Sequence, residues 1–164
     1  MTKVAVPIRN AYPRRMPPES GRANAASSNR GVSAAPLGTQ RGSVDYSLQR
    51  RALLREVLTN RVGVYEVCDA SPYLMSAARF HGDPTDERCP ICRRENLTHV
   101  NYIYGDELKT SAGQARSRAE LPMLESTWRE FQVYVVEVCR GCGWNHLVEQ
   151  FVLGGGSGQH SASS

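Results

Sequence analysis

No apolar run in this 164-residue chain approaches the roughly 20 residues that a membrane-spanning helix needs. The beginning of the chain also lacks the apolar core of roughly 7–15 residues that marks a secretory signal. The stretch from Thr2 to Ile8 is short and is cut by Pro7. The two absences predict a cytoplasmic protein. Aromatic residues are scarce at 7%, and residues 1–42 contain no Phe, Trp or Cys. That segment is built from Arg, Pro, Ser, Ala, Asn and Gly, and it holds too little apolar surface to offset the entropy of ordering it. We read residues 1–42 as a disordered basic tail, residues 43–153 as one domain and residues 154–164 as a disordered Gly/Ser tail. Catalytic signatures are missing as well: there is no P-loop, no GxGxxG, no nucleophile elbow and no HExxH. The expectation is a protein that is not an enzyme.

The overall net charge of +4 is unevenly spread. Lys3, Arg9, Arg14, Arg15, Arg22, Arg30 and Arg41 stand against Glu19 in the tail, a net +6. The remaining residues carry 13 basic and 15 acidic groups, a net −2. Basicity therefore belongs to the tail, which could touch nucleic acid, and not to the folded part. No membrane partner and no small-molecule substrate is indicated.

Within residues 43–153 the pattern alternates between helix and strand signals. Ser43 is a candidate cap for a helix over 44–60, with Tyr46, Leu53, Leu54, Val57 and Leu58 on one side and Arg50 interrupting it. Residues 62–68 are short and apolar, a brief strand or helix. Ser71-Pro72 is a helix start, with Ser as cap and Pro at the first position, and Gly82 and Pro84 stop that helix. Residues 83–88 read as a polar lead-in, 97–104 as a strand, 109–119 as a flexible loop and 120–131 as a short helix. Gln132 to Val138 is the best strand in the chain, and 146–153 is a third.

Five cysteines remain, and four of them form two pairs: Cys89-Pro90-Ile91-Cys92 and Cys139-Arg140-Gly141-Cys142. Each Cys-x-x-Cys can fold as a knuckle that offers two thiolates, and two knuckles close a tetrahedral four-sulfur site suited to zinc. One structural Zn2+ per chain is expected. Gly143 tolerates the positive φ that turns backbone N–H groups toward sulfur, and Arg93 occupies the equivalent place. The 46 residues between the pairs exceed the roughly 15–20 of a compact ribbon, so 105–131 reads as an insertion. A redox dithiol, an iron–sulfur centre and cysteines that hold no metal are the competing readings. His99 and His146 follow the knuckles and are weighed as alternate ligands, but ordinary strand positions suit them better. Cys68 reads as a buried core thiol, with a fifth ligand or a reactive nucleophile as the alternative. Arg93, Arg94 and Arg140 form a small basic spot diluted by Glu87, Glu95 and Glu137. Trp144, Tyr102, Tyr104 and Tyr134 offer an aromatic interaction surface, or else simply cover a thin sheet.

Several segments are familiar together: Val44-Asp45-Tyr46, Arg50-Arg51-Ala52-Leu53-Leu54, Val67-Cys68-Asp69-Ala70-Ser71-Pro72-Tyr73-Leu74, both knuckles, Leu97-Thr98-His99-Val100, Tyr104-Gly105-Asp106 and the run from Val135 to Leu147. They resemble an actinobacterial family known as domain of unknown function 5318, over roughly residues 43–153. The resemblance implies domain limits and a bacterial cytosolic setting, and it carries no activity to transfer.

The fold expected is α+β, with N-terminal helices packed on a small three-stranded antiparallel zinc ribbon. The function expected is a non-catalytic interaction module for a protein or ribonucleoprotein machine. One alternative is a DNA-binding regulator with a helix-turn-helix over 44–81, whose second helix would offer only Arg79 and His81. Another is an enzyme using Cys68.

Overall fold

A computed structural model describes residues 40–155. The tail expectations for residues 1–39 and 156–164 lie outside the described residues. The elements run β1 (Arg41–Asp45), α1 (Ser47–Leu58), α2 (Val64–Val67), α3 (Pro72–His81), β2 (Asp83–Arg88), β3 (Asn96–Tyr104), β4 (Ala115–Arg116), α4 (Leu121–Thr127), β5 (Glu130–Val138) and β6 (Asn145–Gly154). Short 3-10 turns cover Asp106–Ser111 and Arg118–Glu120. The class is α+β, as the sequence indicates. Among the described residues no helix is long and apolar enough to cross a membrane.

The sheet is larger than the three strands expected. Its order is β1-β6-β5-β3-β2, and β4 also pairs with β3. All pairings are antiparallel. The extra strands lie at the edges. Residues 83–88 form β2 against β3 although their sequence is polar and contains Pro84; an edge strand needs a ladder on one side only, and charge and proline there discourage pairing with another chain. Residues 41–45 form β1 on the opposite edge: Arg41 and Gly42, expected in the tail, are strand residues, and Ser43 to Asp45, expected to cap and begin a helix, are too. Helix α1 starts at Ser47, whose amide donates to the Asp45 carboxylate at 2.6 Å. The expected flexible loop 109–119 contains β4, which pairs Ala115 with Tyr102 and Arg116 with Asn101.

Alternation along β3, β5 and β6 sorts side chains onto two faces. One face carries Val100, Tyr102, Val136, Val138 and Leu147, and α3 lays Leu74 and Ala78 against it. Ser71 caps that helix by accepting from the Leu74 amide at 3.2 Å, as its sequence predicts. Leu74 is wholly buried, a burial that contributes about 1.5–3 kcal/mol. The other face carries Ile103, Phe131, Val133, Val135, Phe151 and Leu153, covered by Leu108, Leu121 and Leu124. A third cluster gathers at one end of the sheet, where Val67, Leu97, Trp144, Cys89 and Cys139 meet Leu53, Leu54 and Val57 of α1.

Candidate metal centre

Both Cys-x-x-Cys pairs sit at hairpin tips. Cys89-Pro90-Ile91-Cys92 lies in the turn between β2 and β3, and Cys139-Arg140-Gly141-Cys142 lies between β5 and β6. The sheet makes the tips neighbours, because β3 and β5 pair directly from Thr98 opposite Val138 to Tyr104 opposite Gln132. The two turns repeat each other. Arg93 N–H donates to Cys89 C=O at 3.0 Å, and Gly143 N–H donates to Cys139 C=O at 2.9 Å. Cys89 N–H closes on Glu95 C=O, and Cys139 N–H on Trp144 C=O. The residue after each pair has positive φ, +54° at Arg93 and +84° at Gly143.

This geometry converges four sulfurs. Cys89 Sγ is 3.6 Å from Cys142 Sγ, and Cys92 Sγ is 3.6 Å from Cys139 Sγ. All four Sγ atoms lie within 4.8 Å of one another and could hold a metal ion. Cys89 and Cys139 are fully buried. The turns aim amide N–H groups at the sulfurs. Amides of Arg94 and Glu95 pull the Cys92 thiol down to about 6. Burial pushes Cys142 up to about 12, and it also raises Cys89 and Cys139 against the pull of their own turn amides. Four thiols so close cannot all ionise without a cation among them, so metal binding would drive the remaining protons off.

A buried polar layer lies just below the knuckles. Glu137 on β5 is 2% exposed and stands between His99 of β3 and His146 of β6. Its Oε1 accepts from Arg50 Nε at 2.6 Å and from Trp144 Nε1 at 2.8 Å. Arg50 also reaches Glu87 at 2.8 Å. The rings of Trp144 and His146 stack with centroids 6.0 Å apart. Burial lowers the pKa of His99 and of His146. Both histidines are sheet residues and are not part of the sulfur set.

The arginines and aromatics singled out from the sequence separate here. Arg93, Arg94 and Arg140 are exposed at the hairpin tips. The aromatic surface does not form: Trp144 is fully buried and Tyr102 is 4% exposed. Trp144 turns inward where the second knuckle joins β6, and Tyr102 lies under α3. Tyr104 and Tyr134 are half-buried and pack edge-on at 5.4 Å. These rings cover the sheet.

Two residues stand differently in the structure from their first reading in the sequence. Arg50, which looked like a break in the apolar side of α1, is the inward group that ties α1 to Glu137. Cys68 is half-buried, not a closed core thiol, and its Sγ lies 3.7 Å from Cys142 Sγ. No spacing signal marks it, because it approaches the cluster from α2.

The chain is similar to uncharacterized mycobacterial proteins. Uncharacterized protein Rv0049 of Mycobacterium tuberculosis (strain ATCC 25618 / H37Rv) is 55% identical over 111 residues, which cover 68% of this chain and 81% of the relative. Uncharacterized protein Mb0050 of Mycobacterium bovis matches with the same identity and coverage. No solved structure matches the chain. The description "Family of unknown function (DUF5318)" fits residues 37–164, most of the chain, and the chain therefore belongs to that family.

Proposed function

We propose that this chain is a structural-zinc protein that acts as a non-catalytic interaction module for a protein or ribonucleoprotein machine in the cytosol. The observation that carries it is the closed set of four cysteine sulfurs. A tetrahedron with zinc–sulfur bonds of ~2.3 Å has sulfurs ~3.8 Å apart, close to the 3.6 Å of the two cross-knuckle pairs. Four thiolates leave no open position for water or substrate, so the ion's role is to hold two hairpins together.

The surface around the centre supports an interaction role. A groove of about 350 Å³ runs between α1 and the first knuckle, lined by Leu54, Val57, Leu58, Pro90 and Ile91 and rimmed by Arg88 and Arg93. A second depression, about 410 Å³, brings Met75 and Phe80 beside Arg79 and Arg140, with Glu95. Leu58 and Phe80 are 78% and 71% exposed. Apolar side chains edged by arginine suit an acidic partner segment with apolar anchors. The DNA-binding reading gains no comparable support: α3 carries only Arg79 and His81 as basic groups, and Asp83 follows directly after its end.

Elemental analysis of the full-length protein tests the metal, with one zinc per chain expected. Affinity capture from the native host, in high and low salt, tests the partner role. Well-folded protein without metal would refute the zinc reading. A partner retained equally by wild type and by Arg93→Glu/Arg140→Glu would remove the proposed surface.

A further inference from the structure

The segment that carries Cys68 is fastened to the second knuckle. Helix α2 is a single turn that ends at Cys68, whose N–H donates to Val64 C=O at 2.9 Å. Ala70 N–H then donates to Gly143 C=O at 3.0 Å, and Asn145 Nδ2 donates to Asp69 Oδ1 at 3.2 Å. A Cβ on Gly143 would lie 3.0 Å from the Cys68 carbonyl oxygen, so the strap touches the knuckle backbone directly. These contacts set Cys68 Sγ 3.7 Å from Cys142 Sγ, about as near as Cys89 on its other side at 3.6 Å. A tetrahedral centre takes four sulfurs. The fifth, held against one ligand by its own anchoring bonds, is surplus to metal binding.

We propose that Cys68 is the resolving thiol of an oxidant-sensitive pair with Cys142, and that a hydroperoxide joins the two as a disulfide and opens the metal centre. The Cys142 thiolate that attacks and the opening step both rest on the zinc reading above; the 3.7 Å approach of the two sulfurs does not. Cys142 and Cys68 are both half-buried, within reach of a small peroxide from solvent. The Cys142 thiolate attacks a peroxide oxygen, and the O–O bond breaks. The departing oxygen takes a proton and leaves as water or an alcohol, and Cys142 becomes a sulfenic acid. The Cys68 sulfur attacks the Cys142 sulfur. Hydroxide is displaced, takes the Cys68 proton and leaves as water. The two sulfurs lose two electrons, and the peroxide has accepted both. A sulfenate is still an anionic donor, whereas a disulfide sulfur carries no charge and is no ligand, so formation of the disulfide leaves the ion with three ligands and it dissociates.

The test treats full-length, zinc-loaded protein with hydrogen peroxide. Released zinc is followed with a chromogenic chelator, and disulfides are mapped by peptide mass spectrometry. A Cys68–Cys142 linkage forming in step with zinc release is expected. Cys68→Ser keeps all four ligands; it should release zinc several-fold more slowly and leave Cys142 trapped by a sulfenic-acid probe. Linkages confined to Cys89–Cys92 or Cys139–Cys142, or equal release from both proteins, would overturn the proposal. Mapping on the unaltered chain decides the pairing even where Cys68→Ser does not fold. A preparation without metal before oxidation would sink the zinc reading instead, and peroxide treatment of that preparation at raised pH, where Cys142 ionises without an ion, would still show whether Cys68 and Cys142 pair.

Discussion

Arg50 of α1 and Glu137 of β5, 87 positions apart in the chain, meet through a 2.6 Å hydrogen bond between Nε and Oε1. The carboxylate is buried and the guanidinium side chain is 19% exposed. Removing one partner of such a pair leaves an uncompensated charge, whereas replacing both can be nearly neutral. Arg50→Met should therefore lower stability by about 3 kcal/mol. The double variant Arg50→Met/Glu137→Gln should recover most of that loss, because Gln still offers an oxygen to Trp144 Nε1. Urea unfolding of the metal-loaded proteins measures both.

Chelation should release the whole cysteine end of the sheet. A structural site supplies ~10–16 kcal/mol of apparent binding energy in small zinc peptides. Trp144 is fully buried among Cys89, Cys139 and Leu97, so its fluorescence should shift to the red as metal is withdrawn, and zinc should restore it. Cys139→Ser should show the shifted spectrum from the outset and bind no stoichiometric metal.

The two knuckles predict substitutions of opposite sign at matching positions. Gly143 has φ +84° and faces the Cys68 carbonyl, so Gly143→Ala should cost about 1–2 kcal/mol from backbone strain alone. Arg93 has φ +54° without being glycine, so Arg93→Gly should stabilise by a few tenths to about 1 kcal/mol. Thermal midpoints at saturating zinc would reveal the contrast.

Acid should act through the buried histidines as well as through the thiols. His99 and His146 have folded-state pKa values below their ordinary 6.5, with burial the leading cause. The unfolded chain then binds more protons than the folded one, so stability is full above about 6.5 and is lost as pH falls through the lowered values. The urea midpoint should drop between about pH 7.5 and 5.5, and drop less in His146→Gln. Protons also compete with metal for thiolate, a loss common to both proteins, so the difference between them reports the imidazole.

The cysteine cluster was legible because its signal is local: two Cys-x-x-Cys pairs, each flanked by strand-forming sequence, specify two knuckles. The β-branched run of β5 and the Ser71-Pro72 start of α3 were legible for the same reason. Edge strands were not. Arg41–Asp45 and Asp83–Arg88 pair on one side and stay mostly exposed, so neither carries the apolar alternation that identifies a strand. Arg50 and Glu137 were misread because each is a charge on an apolar pattern, and only the partner explains it. Cys68 is assigned by tertiary geometry alone.

The order of the sheet sets a timetable for synthesis. β1 is the earliest described strand to leave the ribosome, yet its hydrogen-bonded neighbour is β6, the latest of them. Its exposed edge must wait until nearly the entire domain has emerged. The β2–β3 hairpin needs no such delay, and Cys139 and Cys142 both precede β6 in the chain, so all four sulfurs of the candidate centre emerge before the first strand has anywhere to dock.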